Sequence, residues 1–448
     1  MEKFDTQHLL DLAQQKQFRK LKEILVKENE VDIATFLTEL DEERKVAVFR
    51  LLPKDLASDV FACLEVDQQQ VIINSITDKE LGAIIDDLYV DDAVDMLEEL
   101  PANVVRRVLK NAGSDTRQLI NQFLQYPENS AGSIMTAEYI SLKKSMTVEQ
   151  AFQFIRTHAV DTETIYTCYV TDSTRRLEGV VTVKDLLLSP YAEKIENLMD
   201  THVIKATTTE DREAVVDSFN KYDLLSLPVV DKEDRLVGIV TVDDAVDVME
   251  QEATEDFEVM AAMHPSERPY LKTGVFTLAK NRIVWLLVLM ISSMITGGIL
   301  TKYEEAFAVL PLLVTFIPML MDTGGNAGSQ SSTMIIRGMA VGEIAPRDAL
   351  KVIWKELRVG IICGVVLGAV NFARLMIQYP GNTLICLTVV LTLFCTVLMA
   401  KTIGGLLPII AKVLKLDPAI MAAPLITTIV DAVSMVIYFE LASHLLHL

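Results

Sequence analysis

The sequence predicts a multidomain integral membrane protein. It should comprise an all-α helical-repeat superhelix, an internally duplicated α+β pair, a long acidic connecting helix and a five-helix transmembrane domain. Three observations predict this: charge and apolar residues are segregated along the chain, the first quarter has a twelve-residue period, and the middle repeats itself. Half of the 448 residues are apolar, yet 23% are charged. Residues 271–448 hold 13 Lys/Arg against 9 Asp/Glu, a net of +4. The whole sums to −21 (41 minus 62), so residues 1–270 carry 28 bases and 53 acids, a net of −25. An acidic surface of that size repels phosphate, which argues against a nucleic-acid partner. Cys63 and Cys168 are isolated, and Cys363, Cys386 and Cys395 lie in apolar runs, so no disulfide framework is expected. The opening MEKFDTQHLL has no basic stretch followed by an apolar core, so no cleaved signal peptide is expected there.

The first domain is expected over residues 1–129. Leu40, Leu52, Leu64, Ile76, Leu88 and Leu100 recur every twelve residues, separated by short amphipathic blocks such as PKDLASDVFACL. Pro53, Thr77 and Pro101 open blocks, where a proline or a capping hydroxyl starts a helix. Helices of that length bury an apolar face only by stacking on their neighbours, so the repeat reads as a small superhelix.

From about residue 130 the pattern changes to β-branched runs, and it does so twice. SIMTAEYISLKKSMTVEQAFQFI is echoed by NLMDTHVIKATTTEDREAVVDSF, and LEGVVTVKDLL by LVGIVTVDDAV 59 residues later. Each copy reads as strand, helix, strand, strand with a glycine turn, and helix. The duplicated G-h-h-T-h-x-D ending resembles a tandem pair of CBS domains, residues 130–192 and 193–255. That resemblance implies an adenine nucleotide such as ATP near Thr182, Asp185, Thr241 and Asp244, although many such pairs are purely structural.

Two acidic runs contain no Lys or Arg. Residues 80–105 hold eight acids (Glu80, Asp86, Asp87, Asp91, Asp92, Asp95, Glu98, Glu99), and residues 237–263 hold eight more. In the second run, on a connecting helix expected over residues 243–272, Glu252, Glu255 and Asp256 are spaced i, i+3, i+4. Like charges so placed weaken a helix by roughly 0.2–0.5 kcal/mol per pair unless something neutralises them. Either the runs are solvated faces or they bind divalent cations; two base-free runs on one chain favour the cation.

Five apolar stretches fill the transmembrane domain (273–448), at about residues 283–300, 306–336, 359–377, 383–411 and 418–442. Each is long enough to cross the ~30 Å hydrocarbon layer. With the acidic half inside, the inner segments hold ten bases (Lys272, Lys280, Arg282, Arg337, Arg347, Lys351, Lys355, Arg358, Lys412, Lys415) and the outer ones Lys302 and Arg374. This bias puts the N-terminus in the cytosol and the C-terminus outside. The second stretch carries Asp322, Gly324, Gly325, Asn326, Gly328 and Gln330, and glycines at that density are expected to leave carbonyls free around a cavity. In the fifth, Pro424 would free the carbonyl of Ile420, and Asp431 would sit near the bilayer midplane with no base within a turn. An intramembrane carboxylate costs about 3 kcal/mol or more and points to ion handling. Lys401, beside Gly404, Gly405 and Pro408, reads either as a partner for Asp431 or as a kinked segment end. One carboxylate does not balance a divalent ion, but two do if a homodimer's twofold axis follows the ion path. Asp431, Asn326 and Gly325 are therefore candidate pore residues, an all-oxygen set that suits Mg²⁺ or Ca²⁺ better than Zn²⁺ or Cu²⁺.

With PMLMDTGGNAGSQSSTMIIRGMA and PLITTIVDAVSMVIYF as its most specific parts, the whole chain resembles the MgtE family of magnesium channels. The resemblance implies a homodimer whose cytosolic part senses Mg²⁺ through Asp59, Asp91, Asp95, Asp223, Asp247, Glu252, Glu255 and Asp256. Ser329 and Ala423 depart from relatives, the latter where an Asn can help hold hydrated Mg²⁺. The implied action is Mg²⁺ uptake across the plasma membrane, closed when cytosolic Mg²⁺ bridges the sensor acids. Alternatives are a CBS-regulated transporter of Co²⁺ or Mn²⁺, or of an anion or organic solute, which would call for basic or aromatic residues at membrane depth, whereas this sequence offers Asp322 and Asp431. An enzyme is disfavoured, since neither HExxH nor G-x-S-x-G occurs and none of the six histidines clusters with Cys or acids.

Overall fold

The computed structural model describes residues 6–159, 162–266, 270–271, 273–303, 310–421 and 423–446. The chain divides into two compact units, Met1–Met249 and Glu250–Leu448.

The first unit begins with ten short helices: α1 (Thr6–Gln14), α2 (Phe18–Leu25), α3 (Glu30–Thr38), α4 (Glu42–Phe49), α5 (Lys54–Ala62), α6 (Val66–Ser75), α7 (Asp78–Ile85), α8 (Val90–Glu99), α9 (Ala102–Asn111) and α10 (Ser114–Phe123). The periodic residues Leu40, Leu52, Leu64, Ile76 and Leu100 are all buried, and each follows a helix rather than lying within one. The twelve-residue period is thus one helix plus one turn. Pro53 and Pro101 cap α5 and α9, and Thr77 forms a full capping box with Glu80 on α7, worth about 1 kcal/mol.

Two three-stranded sheets follow. The first contains β1 (Tyr139–Leu142), β2 (Thr164–Thr171) and β3 (Leu177–Thr182), and the second β4 (Ala206–Thr207), β5 (Ser226–Val230) and β6 (Leu236–Thr241). In both, the first pair is parallel and the second antiparallel. Helix α11 (Val148–His158) crosses over in the first copy and α14 (Arg212–Tyr222) in the second; α12 (Val183–Leu188), α13 (Ile195–Leu198) and α15 (Val242–Met260) complete the set. The two copies pair about a pseudo-dyad: Leu177 N donates to Asp234 O, and Leu236 N to Arg175 O. The expected glycine turns are not turns. Gly179 and Gly238 lie inside β3 and β6, because a Cβ there would come within 2.9 Å of Asp200 O or 2.7 Å of Thr136 O. The connecting helix is also shorter than expected. It ends at Met260, with Ala262 left-handed (φ 53) and Pro265 beyond it.

The second unit contains α16 (Val275–Lys302), α17 (Ile317–Ala340), α18 (Ala349–Gln378), α19 (Thr383–Val413) and α20 (Ala423–Leu446), with 3₁₀ turns at Pro311–Phe316, Pro346–Asp348 and Pro418–Met421. Four of these helices, all but α17, are long and apolar enough to cross a membrane. The count of five is not reached because glycines, serines, Asp322, Asn326 and Gln330 lower the hydropathy of α17, and residues 304–309 lie outside the described residues. The expected open backbone is absent from α17, which is continuous across its glycines. Those glycines permit close crossing instead: a Cβ on Gly404 would lie 2.2 Å from Gly328 O, and one on Gly324 would lie 2.6 Å from Thr396 Cγ2. Nor does Lys401 mark a segment end, since α19 runs through it and through Pro408.

Gly404→Ala should therefore force α17 and α19 apart and lower the thermal stability of the purified protein by about 1–3 kcal/mol. Gly298→Ala, with nothing within 4 Å, should leave stability within ~0.5 kcal/mol of wild type or raise it slightly. Equal melting of the two variants would contradict the backbone-contact account.

Candidate ion-binding sites

The cytosolic acids gather around the first turn of α8. Asp91 and Asp92 start that helix; Glu138 and Glu163 immediately precede β1 and β2, and Asp243 and Asp244 open α15. Parallel pairing of β1 with β2 (Tyr139↔Thr164) sets the two glutamates side by side, and Glu163 N donates to Glu138 O at 3.0 Å. Burial raises the Asp91 carboxyl well above its ordinary value, and repulsion from Asp92, Asp244, Glu163 and Glu138 adds to this. Burial, then Asp244, Glu138 and Asp243, pushes Asp92 up to about 6. Burial, then Asp244, Asp243, Asp92 and Glu138, pushes Glu163 up to about 7. Asp95 reaches about 7 through desolvation and then Glu98, Asp92, Asp244 and Glu99, although its surface remains exposed. No base is among the groups acting on these four acids. Asp91 Oδ1 and Glu163 Oε2 are buried with no hydrogen-bond partner, a costly state that a cation would relieve. Among the described residues no three Asp, Glu, His or Cys stand close enough to ligate one ion directly. The arrangement therefore suits an ion that keeps part of its water, or one that draws the acids together as it binds.

The remaining predicted sensor residues are dispersed. Asp59 is exposed on α5, its carboxyl raised by partial burial and then by Glu30, Asp87 and Asp55. It adjoins the cluster through Tyr89, whose phenol is pushed up to about 12 by burial and then by Glu163, Asp59, Glu138 and Asp91. Asp247, one turn along α15 from Asp243, repels Asp244. Glu252, Glu255 and Asp256 continue along the same helix. Asp223 lies apart from the cluster: left-handed at φ 51, it lines an open cleft of about 310 Å³ with Val216, Phe219, Leu224, Val242 and Met249. Sequence reasoning missed Glu138 and Glu163 as site residues, yet the signal was present, since each is the acid just before a paired strand.

The G-h-h-T-h-x-D motifs are helix caps. Thr182 and Asp185 form a capping box on α12, and Thr241 Oγ1 donates to Asp244 Oδ2 at the start of α15. Asp244 also faces the α8 acids, so it belongs to the acidic cluster as much as to the motif.

In the second unit Asp431 is half-buried on α20 and close enough to Asp322 of α17 for the two charges to repel. Asp322 and Asn326 are exposed, one turn apart on α17. Gly325 does not offer a free carbonyl: it accepts from Ser329 Oγ at 2.9 Å, and its Cα packs on Thr427. Pro424 lies in the first turn of α20 rather than inside a helix, so it starts the Asp431 helix instead of kinking it. Ala423 opens that helix, and its side chain lies outside the described residues. Among the described residues no hydrogen bond or ion pair joins Lys401 to Asp431; Lys401 Nζ donates to Ser331 Oγ.

Residues 317–441 match the MgtE divalent cation transporter family, residues 28–129 the MgtE intracellular N domain, and residues 131–190 and 195–251 the CBS domain. The magnesium transporter MgtE of Thermus thermophilus is 34% identical over 442 residues, 98% of each chain. The chain belongs to the MgtE family. The MgtE of Bacillus subtilis is 33% identical over 416 residues, 93% of this chain and 92% of that one. Two solved structures resemble the cytosolic part of this MgtE family member. The soluble part of a magnesium transporter is 29% identical with TM-score 0.53, covering 55% of this chain and 98% of that one. The cytosolic domain of the Mg²⁺ channel MgtE in complex with ATP is 35% identical with TM-score 0.52, covering 54% and 99%.

Proposed function

We propose that the chain is a Mg²⁺ channel or transporter of the plasma membrane, working as a homodimer with cytosolic N-terminus and external C-terminus. The observation that carries this is Asp431, a half-buried carboxylate on α20 of the membrane unit, close enough to the exposed Asp322 of α17 for the two to repel. Co-linear similarity over 98% of each chain to a magnesium transporter supports Mg²⁺ as the cargo. On this reading α17 is the fifth span, its polar face turned to the ion path. Asp431 from two copies, with Asp322 and Asn326, would hold a hydrated Mg²⁺, because that ion gives up its water reluctantly. Gly325 contributes close packing and Ala423 the start of the pore helix.

The α8 cluster is the intracellular sensor. Without Mg²⁺ its acids repel one another; with Mg²⁺ the charge is neutralised and the compact form gains RT ln(1 + [L]/Kd) per site. Asp59, Asp91, Asp95 and Asp247 act there with Asp92, Glu138, Glu163 and Asp244, while Asp223, Glu252, Glu255 and Asp256 serve further sites along α15. An adenine nucleotide at the CBS pair, near Thr182 and Asp185, is supported by the ATP complex of the similar cytosolic domain.

The purified chain in proteoliposomes should carry Mg²⁺ inward faster than protein-free vesicles, with Mg²⁺ present in excess suppressing Na⁺ passage. No flux above the protein-free rate, or equal Na⁺ flux with and without Mg²⁺, would contradict the proposal.

A further inference from the structure

Three polar groups meet inside the membrane unit where three helices adjoin. Lys401 of α19 is buried, 6% exposed, and its Nζ donates to Ser331 Oγ of α17 at 3.5 Å. Ser331 Oγ in turn donates to Glu356 Oε2 of α18 at 2.6 Å. The hydroxyl therefore stands between a cation and an anion, accepting from one and donating to the other. One turn away on both α17 and α19 is the Gly328–Gly404 crossing, where backbones touch, and Gly405 packs against the Glu356 stem. The neighbouring residue extends the link. Ser332, fully buried, donates from Oγ to the carbonyl of Met421 at 2.8 Å. Met421 closes the 3₁₀ turn before α20, three residues ahead of Pro424 and ten ahead of Asp431.

Lys401 is buried and Glu356 half-buried, and a buried pair of this kind can often be replaced by apolar residues without loss of stability. Packing alone does not account for an ammonium and a carboxylate joined through one hydroxyl at a backbone crossing. We propose that Lys401, Ser331 and Glu356 form a charge-linked brace that positions the start of the Asp431 helix. The brace sets the position of α17 at residues 331–332, and Ser332 passes that position to Met421. Lys401 and Glu356 are thus positioning residues that affect ion passage without touching the ion, an inference that rests on Asp431 lining the path.

The test uses the full-length protein in proteoliposomes, with Mg²⁺ uptake and amide hydrogen exchange over residues 421–431 as readouts. Lys401→Met with Glu356→Gln removes both charges at similar volume and leaves neither one uncompensated; Ser332→Ala removes a single hydroxyl. Both variants should purify as wild type does, raise the apparent KM for Mg²⁺ about tenfold, equivalent to one net hydrogen bond, and speed exchange over 421–431. Ser332→Thr should restore both readouts. Unchanged KM and exchange in Ser332→Ala and in the double variant would reduce the network to packing; if the double variant does not purify, Ser332→Ala alone decides. Loss of the brace and loss of the ion path are separable: wild-type flux in Asp431→Asn overturns the path, whereas unchanged exchange in Ser332→Ala overturns only the brace.

Discussion

Asp431→Ala should cut Mg²⁺ flux by tenfold or more at equal surface expression, without loss of folding. The side chain is half-buried and close enough to Asp322 of α17 for the two charges to repel. Its charge is therefore available to a cation, and the attraction of a divalent ion is about twice that of a monovalent ion at equal distance. Losing as little as 1.4 kcal/mol of that attraction is a factor of about ten. Asp431→Asn keeps the volume and removes the charge. It should let Na⁺ pass in the presence of Mg²⁺, because divalent occupancy no longer excludes it. Vesicle flux of Mg²⁺ and Na⁺ in the two variants checks both statements. Wild-type Mg²⁺ flux in Asp431→Ala would place the ion path elsewhere.

The second large effect concerns the α8 cluster. Asp92 is pushed up to about 6 from an ordinary 3.8, and Glu163 to about 7 from 4.5, with burial as the largest cause and neighbouring acids next. Between about pH 4 and pH 7 the folded unit holds more protons than the unfolded chain. Its stability therefore falls as pH rises through that window, and the repulsion goes on growing above pH 7 as Glu163 and Asp95 finish ionising. Mg²⁺ and protons relieve the same repulsion, so Mg²⁺ should slow proteolysis of the cytosolic part strongly at pH 8 and little at pH 5. Asp92→Asn with Glu163→Gln should give the protease-resistant form at pH 8 without Mg²⁺, and added Mg²⁺ should change it little. Equal protection by Mg²⁺ in variant and wild type would mean these acids are a solvated face.

Much of this was legible in the sequence, because the signals were periodic or compositional. The twelve-residue leucines, the CBS duplication and the apolar runs each reflect burial, which needs no long-range geometry to recognise. Errors arose where the same residue type serves two ends. Glycines in α17 and in β3 and β6 suggest a freed backbone or a turn, yet they admit neighbouring side chains in α17 and a neighbour's backbone in β3 and β6 at distances no Cβ allows. Pro424, whose sequence context suggests a helix breaker, is a helix starter. Glu138 and Glu163 were missed because strand pairing, not sequence distance, brings them to α8. Lys401 found its partner across helices, at Ser331 and through it Glu356, which spacing along one segment does not reveal.

The central claim is that carboxylates in the cytosolic unit read internal Mg²⁺ and close the path through the membrane unit. Its most direct test is Mg²⁺-dependent current through the full chain in excised inside-out patches, with Mg²⁺ on the cytosolic face stepped from micromolar to millimolar. The account predicts open channels at low Mg²⁺ and closure at high Mg²⁺ in wild type, and loss of that Mg²⁺ dependence in Asp92→Asn with Glu163→Gln. Current that ignores cytosolic Mg²⁺ in wild type, or closure over the same Mg²⁺ range in the variant, would contradict it.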